Sequence, residues 1–354
     1  MAQSISKTFR ANWQPFCLGA TPFSDSAKAW QALNQRFDRL VGWPQLSRRS
    51  RLEGLYIQYS QGFPGLVSQG DVLWVDPRRN YEHELQLLYL AYLEGDSQHG
   101  RIEPAYAQGL ADLLAGRIAL PESTTALVGR LTGPISWGVS VVDASRRPLL
   151  HDRLLSDAVA KHLYLKARWQ DEQLRGLGHP TIMMVEEPYM ASYGSMHVGV
   201  GREQVAELLG QVFDGVQGLK GVHCCGNTDW SVILSTPVDI ISLDAYDYGQ
   251  SLTAHAEALD AFLHRGGIIA WGIAPASAVA LSETANGLAN RIESILARLT
   301  ALGVDDQLLA ASALVSPSCS LGALAPRVAE SVYDLTAAVS AEMVSRLGVS
   351  AGTS

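Results

Sequence analysis

A chain of 354 residues, 47% of them hydrophobic, is long enough to bury one large core, and one α/β barrel suits that length as well as two smaller domains would. The net charge of −8, from 35 acidic against 27 basic side chains, argues against a nucleic-acid partner, and no apolar run approaches the roughly 20 residues needed to span a bilayer. Four cysteines and a polar opening from Met1 to Trp13, without an apolar signal core, lead us to expect a reducing, cytoplasmic setting with small molecules or another protein as partners.

Short apolar runs alternate with longer amphipathic stretches. Eight of them end in Gly, Pro or a functional side chain and read as strands: Phe16 to Ala20, Gly54 to Ser60, Leu127 to Thr132, Thr181 to Glu186, Gly221 to Cys225, Val238 to Asp244, Gly267 to Ile273 and Leu309 to Ser316. Eight strands separated by helices are the count of a single (β/α)8 TIM barrel covering 1–354. The second connection is too long for one crossover. It holds a strand-like Asp71 to Val75 and helical Tyr81 to Glu94 and Ala105 to Leu114, so residues 62–123 read as an insertion at the barrel mouth after the second strand. Arg48, Arg49 and Arg51 form a compact basic cluster that reads as a solvated loop. Ala285 to Leu302 is the clearest helix, and residues 349–354, rich in Ser, Gly and Thr, read as a frayed tail.

In this architecture the C-terminal strand ends carry the chemistry, so the residues standing there matter most. His223 and Cys225 are two apart at the end of the fifth run, hence on one side of a strand, with Cys224 on the other. The Gly226-Asn227-Thr228 that follows breaks the strand and leaves its last side chains at a rim. Cys319, in Ser316-Pro317-Ser318-Cys319, stands at the last strand end. A His/Cys/Cys set with one position left open belongs to catalytic zinc rather than to a closed structural site. Cys17 and Cys224 read as core thiols.

The rim sequences Gly19-Ala20-Thr21-Pro22, Trp43-Pro44-Gln45-Leu46, Thr132-Gly133-Pro134, Glu186-Glu187-Pro188, His223-x-Cys225 and Pro317-x-Cys319 together resemble the superfamily that joins cobalamin-independent methionine synthase, zinc-dependent corrinoid:thiol methyltransferases and uroporphyrinogen decarboxylase. The His-x-Cys with a distal Pro-x-Cys separates the zinc methyltransferases from the metal-free decarboxylase. The resemblance implies a short "core" methionine synthase-like enzyme. In it, zinc sits on His223, Cys225 and Cys319, and a thiol bound to the metal takes a methyl group. Asp244 stands where the methionine synthases place a glutamate ligand; it is either a fourth ligand or a strand-end carboxylate bonded to backbone amides.

By the same resemblance Gly19, Ala20, Gln61 and Glu186 bind the substrate, Glu186 holding an amino group. Ala20 replaces a family serine and Gln61 a family glutamate, which leaves homocysteine and other small thiols, such as coenzyme M, as acceptors. The donor expected is methylcobalamin or a corrinoid protein. The chain is about half as long as those synthases, and Ala274 stands where they carry a histidine that protonates folate, a proton that a cobalt leaving group does not need. Trp137, Trp230 and Trp271 are either a platform for the corrinoid face or core filling. The rival readings are a metal-free decarboxylase-like enzyme, which needs arginines clustered at the rim, and a non-catalytic zinc- or corrinoid-binding subunit.

Overall fold

A computed structural model describes residues 9–347; the tail expected at 349–354 lies outside them. Its main sheet has seven parallel strands in the order β1 (Leu40–Gly42), β4 (Ala126–Thr132), β5 (Thr181–Glu186), β6 (Leu219–Cys224), β7 (Ile240–Asp244), β8 (Ile268–Ala274) and β9 (Ala313–Pro317). A hairpin of β2 (Leu66–Gln69) and β3 (Val72–Val75) stands apart. The sheet curls with helices outside it. Its inner face packs Leu40, Ala126, Val128, Ile182, Met184, Leu219, Ile240, Ile268, Ala270 and Leu314 around Phe16 and Leu18. The outer face joins a much larger core under the helices. Strands buried on both faces read as unbroken apolar runs, which is why six of the eight expected runs carry the observed strands, β4 to β9.

The first two expected strands differ. Phe16 to Ala20 belongs to a stave that closes the barrel without forming a regular strand. The Trp13 and Phe16 N–H groups donate to Ala313 and Val315 carbonyls at 2.6 and 3.0 Å, and a parallel bridge joins Ala20 to Gln45 on the other side. Pro15 has no N–H to give, and Asn12, Trp13 and Gly19 take positive φ of 43°, 57° and 95°, so no continuous ladder forms here.

Gly54 to Ser60 is not a strand. A 3-10 turn at Arg51–Glu53, started by the Ser50 hydroxyl accepting from the Leu52 N–H at 3.2 Å, precedes it, and a second 3-10 turn at Ile57–Tyr59 lies within it. The second strand is instead the three-residue β1, too short to show a period. Its ladder to β4 ends at Gly42 and Val128. Beyond that point the buried side chain of Gln170 takes over, accepting from Arg130 N–H and Trp43 Nε1 and donating to the Arg130 carbonyl, all within 2.9 Å.

Residues 62–123, expected as an insertion, contain the β2–β3 hairpin, a helix at Tyr81–Glu94 ended by Gly95 at φ 66°, and a helix at Gln108–Leu114 that starts three residues later than expected. Among the described residues no helix is long and apolar enough to cross a membrane.

Candidate metal centre

The phase of β6 sets the site. Val222 and Cys224 point into the outer core, Cys224 fully buried there, so His223 and the following Cys225 face the barrel interior. His223 lies between Glu186 on β5 and Ser242 on β7. Its Nδ1 is 2.9 Å from Ser242 Oγ, which fixes the ring and leaves Nε2 for another partner.

Cys319 arrives from the loop after β9. That loop is tied down by Ser318 N–H to the Ala274 carbonyl at 2.8 Å, and by Ser320 Oγ accepting from Ala20 N–H at 3.0 Å. Gly19 is required at this junction, because a Cβ there would lie 2.9 Å from the Ser320 Cα. Gly19 and Ala20, the expected substrate-side residues of the first loop, therefore lie against the Cys319 loop.

The ligand atoms of His223, Cys225 and Cys319 lie within 4.8 Å of one another. Metal–ligand bonds of 2.0–2.3 Å in a tetrahedron put neighbouring donors roughly 3.3–3.8 Å apart, so the set fits zinc after small side-chain adjustments. Interaction with Cys319 lowers the Cys225 thiol below its ordinary range, while interaction with Cys225, together with burial, drives that of Cys319 upward.

Asp244 lies outside that group of three. Its Oδ1 accepts from the Asp247 N–H at 2.9 Å, capping the turn Ala245–Tyr248, and burial pushes its carboxyl up to about 6.

Glu186 and Glu187 alternate across β5 and its end. Glu187 turns outward and accepts from the N–H groups of Ile135 and Ser136 at 2.9 and 2.7 Å, at the start of the helix Pro134–Ser140. Gly133 beside it has no room for a Cβ, which would meet the Glu187 carboxylate at 2.1 Å. Glu186 turns inward and is paired with Arg130, whose Nε donates to Oε1 at 2.9 Å and whose Nη2 reaches the same oxygen. Sequence reasoning missed Arg130. The available signal was one arginine within the apolar run Leu127 to Thr132. Gln61 sits in the turn after Ile57–Tyr59, its Oε1 buried without a partner among the described residues.

Trp137, Trp230 and Trp271 are completely buried in the outer core, so they fill it and offer no platform to a corrinoid. The chemistry available at the mouth is thus a convergent His/Cys/Cys donor set beside an inward carboxylate with a guanidinium partner.

No protein-family model and no curated protein matches the chain. Among solved structures, a B12-independent methionine synthase from Shewanella sp. W3-18-1, in complex with selenomethionine, aligns with a TM-score of 0.47 over 67% of each chain at 17% identity. A methyltransferase from Methanosarcina mazei aligns with a TM-score of 0.56 over 96% of this chain and 97% of that one at 12% identity. That likeness is one of fold: across almost its whole length the chain shares the barrel architecture of the Methanosarcina mazei protein.

Proposed function

We propose that the chain is a zinc-dependent methyltransferase that moves a methyl group from a methyl-corrinoid, methylcobalamin or a corrinoid protein, to a small thiol, homocysteine first among them. The observation that carries this reading is the convergence of His223, Cys225 and Cys319 from two distant strand ends on one point of the barrel mouth. Those three side chains would hold the metal and leave its fourth position to the thiol. Zinc there supplies a thiolate at neutral pH, where a free thiol of pKa about 8.5 is mostly protonated.

The chain's own groups do the rest. Ser242 holds the His223 ring in one orientation. Cys225 and Cys319 bring two negative charges that keep the sulfur set electron-rich. Glu186, one strand over from His223, would bind the polar end of the acceptor. The end of β8, Ala274-Pro275, offers no proton donor, which suits a cobalt leaving group and not an amine. In such a transfer the thiol sulfur would gain the methyl group, the corrinoid would leave with the bonding electron pair, and the thiol proton would go to solvent. That the fold neighbour from Methanosarcina mazei is a methyltransferase adds support.

The test offers the zinc-loaded protein methylcobalamin or methyltetrahydrofolate, each with homocysteine or coenzyme M. Methionine formed from methylcobalamin alone is the expected result. Efficient transfer from methyltetrahydrofolate in the strict absence of corrinoid would overturn the donor. Faster methylation of coenzyme M would overturn the acceptor. Zinc held without transfer to any thiol would favour a binding subunit, and failure to hold zinc would favour a decarboxylase-like enzyme.

A further inference from the structure

A groove of about 1040 Å³ lies outside the barrel, between the start of the helix Arg153–Arg175 and the helix Arg202–Phe213. None of the metal donors lines it. The segment that follows β5 connects the two places. It passes the metal loop, where the Met190 carbonyl accepts from Thr228 Oγ1 at 2.7 Å, and then borders the groove from Met196 to Val200.

The groove has an apolar bed. Leu150 and Leu208 are buried in it and Val200 is partly buried beside them, while Leu154 is 51% exposed and Met196 is 96% exposed at its edge. Large apolar side chains left open to water around a concavity mark a contact face. The lip is charged. Glu203 and Glu207 are both exposed, make no salt bridge among the described residues, and stand four apart on one helix, a spacing at which like charges repel. Across from them Asp157 is already bound by Lys161 and the Tyr89 hydroxyl, and Arg153 balances one carboxylate. The groove thus keeps a surplus of negative charge. One turn beyond Glu207 lies Gln211, whose Oε1 is buried without a donor.

We propose that this groove docks an amphipathic helix of a partner protein, two of whose lysines or arginines, one turn apart, meet Glu203 and Glu207 while its apolar face lies on Leu154, Val200 and Leu208. The walls themselves suggest a helical guest. Glu203, Glu207 and Gln211 recur every fourth residue, the same one-turn period at which a docked helix presents its side chains. A cation on each glutamate relieves their mutual repulsion, and a third donor satisfies Gln211. A second copy of this chain is a poorer guest. Its helix Tyr81–Glu94 does expose Leu87, Leu90 and Leu93, but they come with Glu82 and Glu94, which repel the lip.

The test is fluorescence anisotropy on the full chain with a labelled peptide of about 15 residues, long enough to hold a helix. The peptide carries a leucine face and lysines four apart. One control has glutamate for every lysine, and a second has the same composition in scrambled order. The lysine peptide should bind, less tightly as salt rises, and ahead of both controls. Combining Glu203→Lys with Glu207→Lys should weaken it about 10- to 30-fold, the upper range for two exposed ion pairs, with no change in the urea midpoint, because both side chains lie at the surface. Leu154→Gln should weaken it without altering its salt dependence. No binding of the lysine peptide, equal binding of either control, or charge reversal without effect overturns the proposal. Displacement of the peptide by spermidine at a comparable concentration overturns it too, since the groove is then a site for small cations.

Discussion

Replacing each of three cysteines with serine separates the metal centre from the core behind it. A complete zinc site of four ligands is held with an apparent 10–16 kcal/mol, so one ligand carries about 2.5–4 kcal/mol, or roughly a 10²- to 10³-fold change in affinity. Cys225→Ser and Cys319→Ser each remove one of the three converging donors and put in a hydroxyl that stays protonated, so each should weaken zinc by that factor. Cys224 is different. It is fully buried in the outer core, its Sγ lies 3.6 Å from the Gly226 carbonyl, and burial pushes its thiol up to about 12, so it offers no thiolate. Cys224→Ser should therefore keep one zinc per chain while losing about 1–3 kcal/mol of stability to a hydroxyl placed among apolar neighbours. Competition against a chromophoric chelator gives the affinities, and urea denaturation gives the stability. If Cys224→Ser, still folded, loses zinc as completely as Cys225→Ser, then the inward and outward assignment of β6 is wrong.

Two further perturbations test the surroundings. Ser242→Ala removes the partner that orients His223 and should lower zinc affinity about 10- to 100-fold with the three donors intact, read by the same chelator competition. Glu187→Gln should change how stability depends on pH. Burial raises the Glu187 carboxyl from 4.5 to about 7, so the folded chain holds this proton more tightly than the unfolded one. Its contribution is complete below about pH 4.5 and is lost as pH rises towards 7, on the order of 3 kcal/mol at about 1.4 kcal/mol per pH unit. Urea denaturation between pH 4.5 and 8 should show that slope in the wild-type protein and a flatter one in Glu187→Gln; equal slopes would refute the assignment.

The convergence of His223, Cys225 and Cys319 was legible because it depends on two local facts, the two-residue period of a strand and the position of its end. The same period distinguishes Glu186 from Glu187. What escaped the sequence depends on partners far along the chain. The stave at Phe16 to Ala20 takes its hydrogen bonds from β9, some 300 residues away, and β1 is recognisable only once β4 lies beside it. Gly54 to Ser60 carries an apolar pattern that serves a short strand or a 3-10 turn equally well, and Ser50, by capping the turn just before it, tips it to the latter. Asp244 also ends a strand, and the next three residues turn back and give its carboxylate a backbone N–H, a contact that its own position does not announce.

Arg130 illustrates the limit most sharply. An arginine inside Leu127 to Thr132 looks at first like evidence against a buried strand, since a lone charge in a core costs far more than the apolar neighbours return. Its partner Glu186 lies 56 residues on, and only the parallel pairing of β4 with β5 brings the two together. Once paired, the arginine offsets the Glu186 charge inside the barrel. The search for arginines at the rim, which the decarboxylase alternative requires, thus has a different answer inside the barrel, where one guanidinium is balanced by one carboxylate and leaves no surplus positive charge for a substrate bearing several carboxylates.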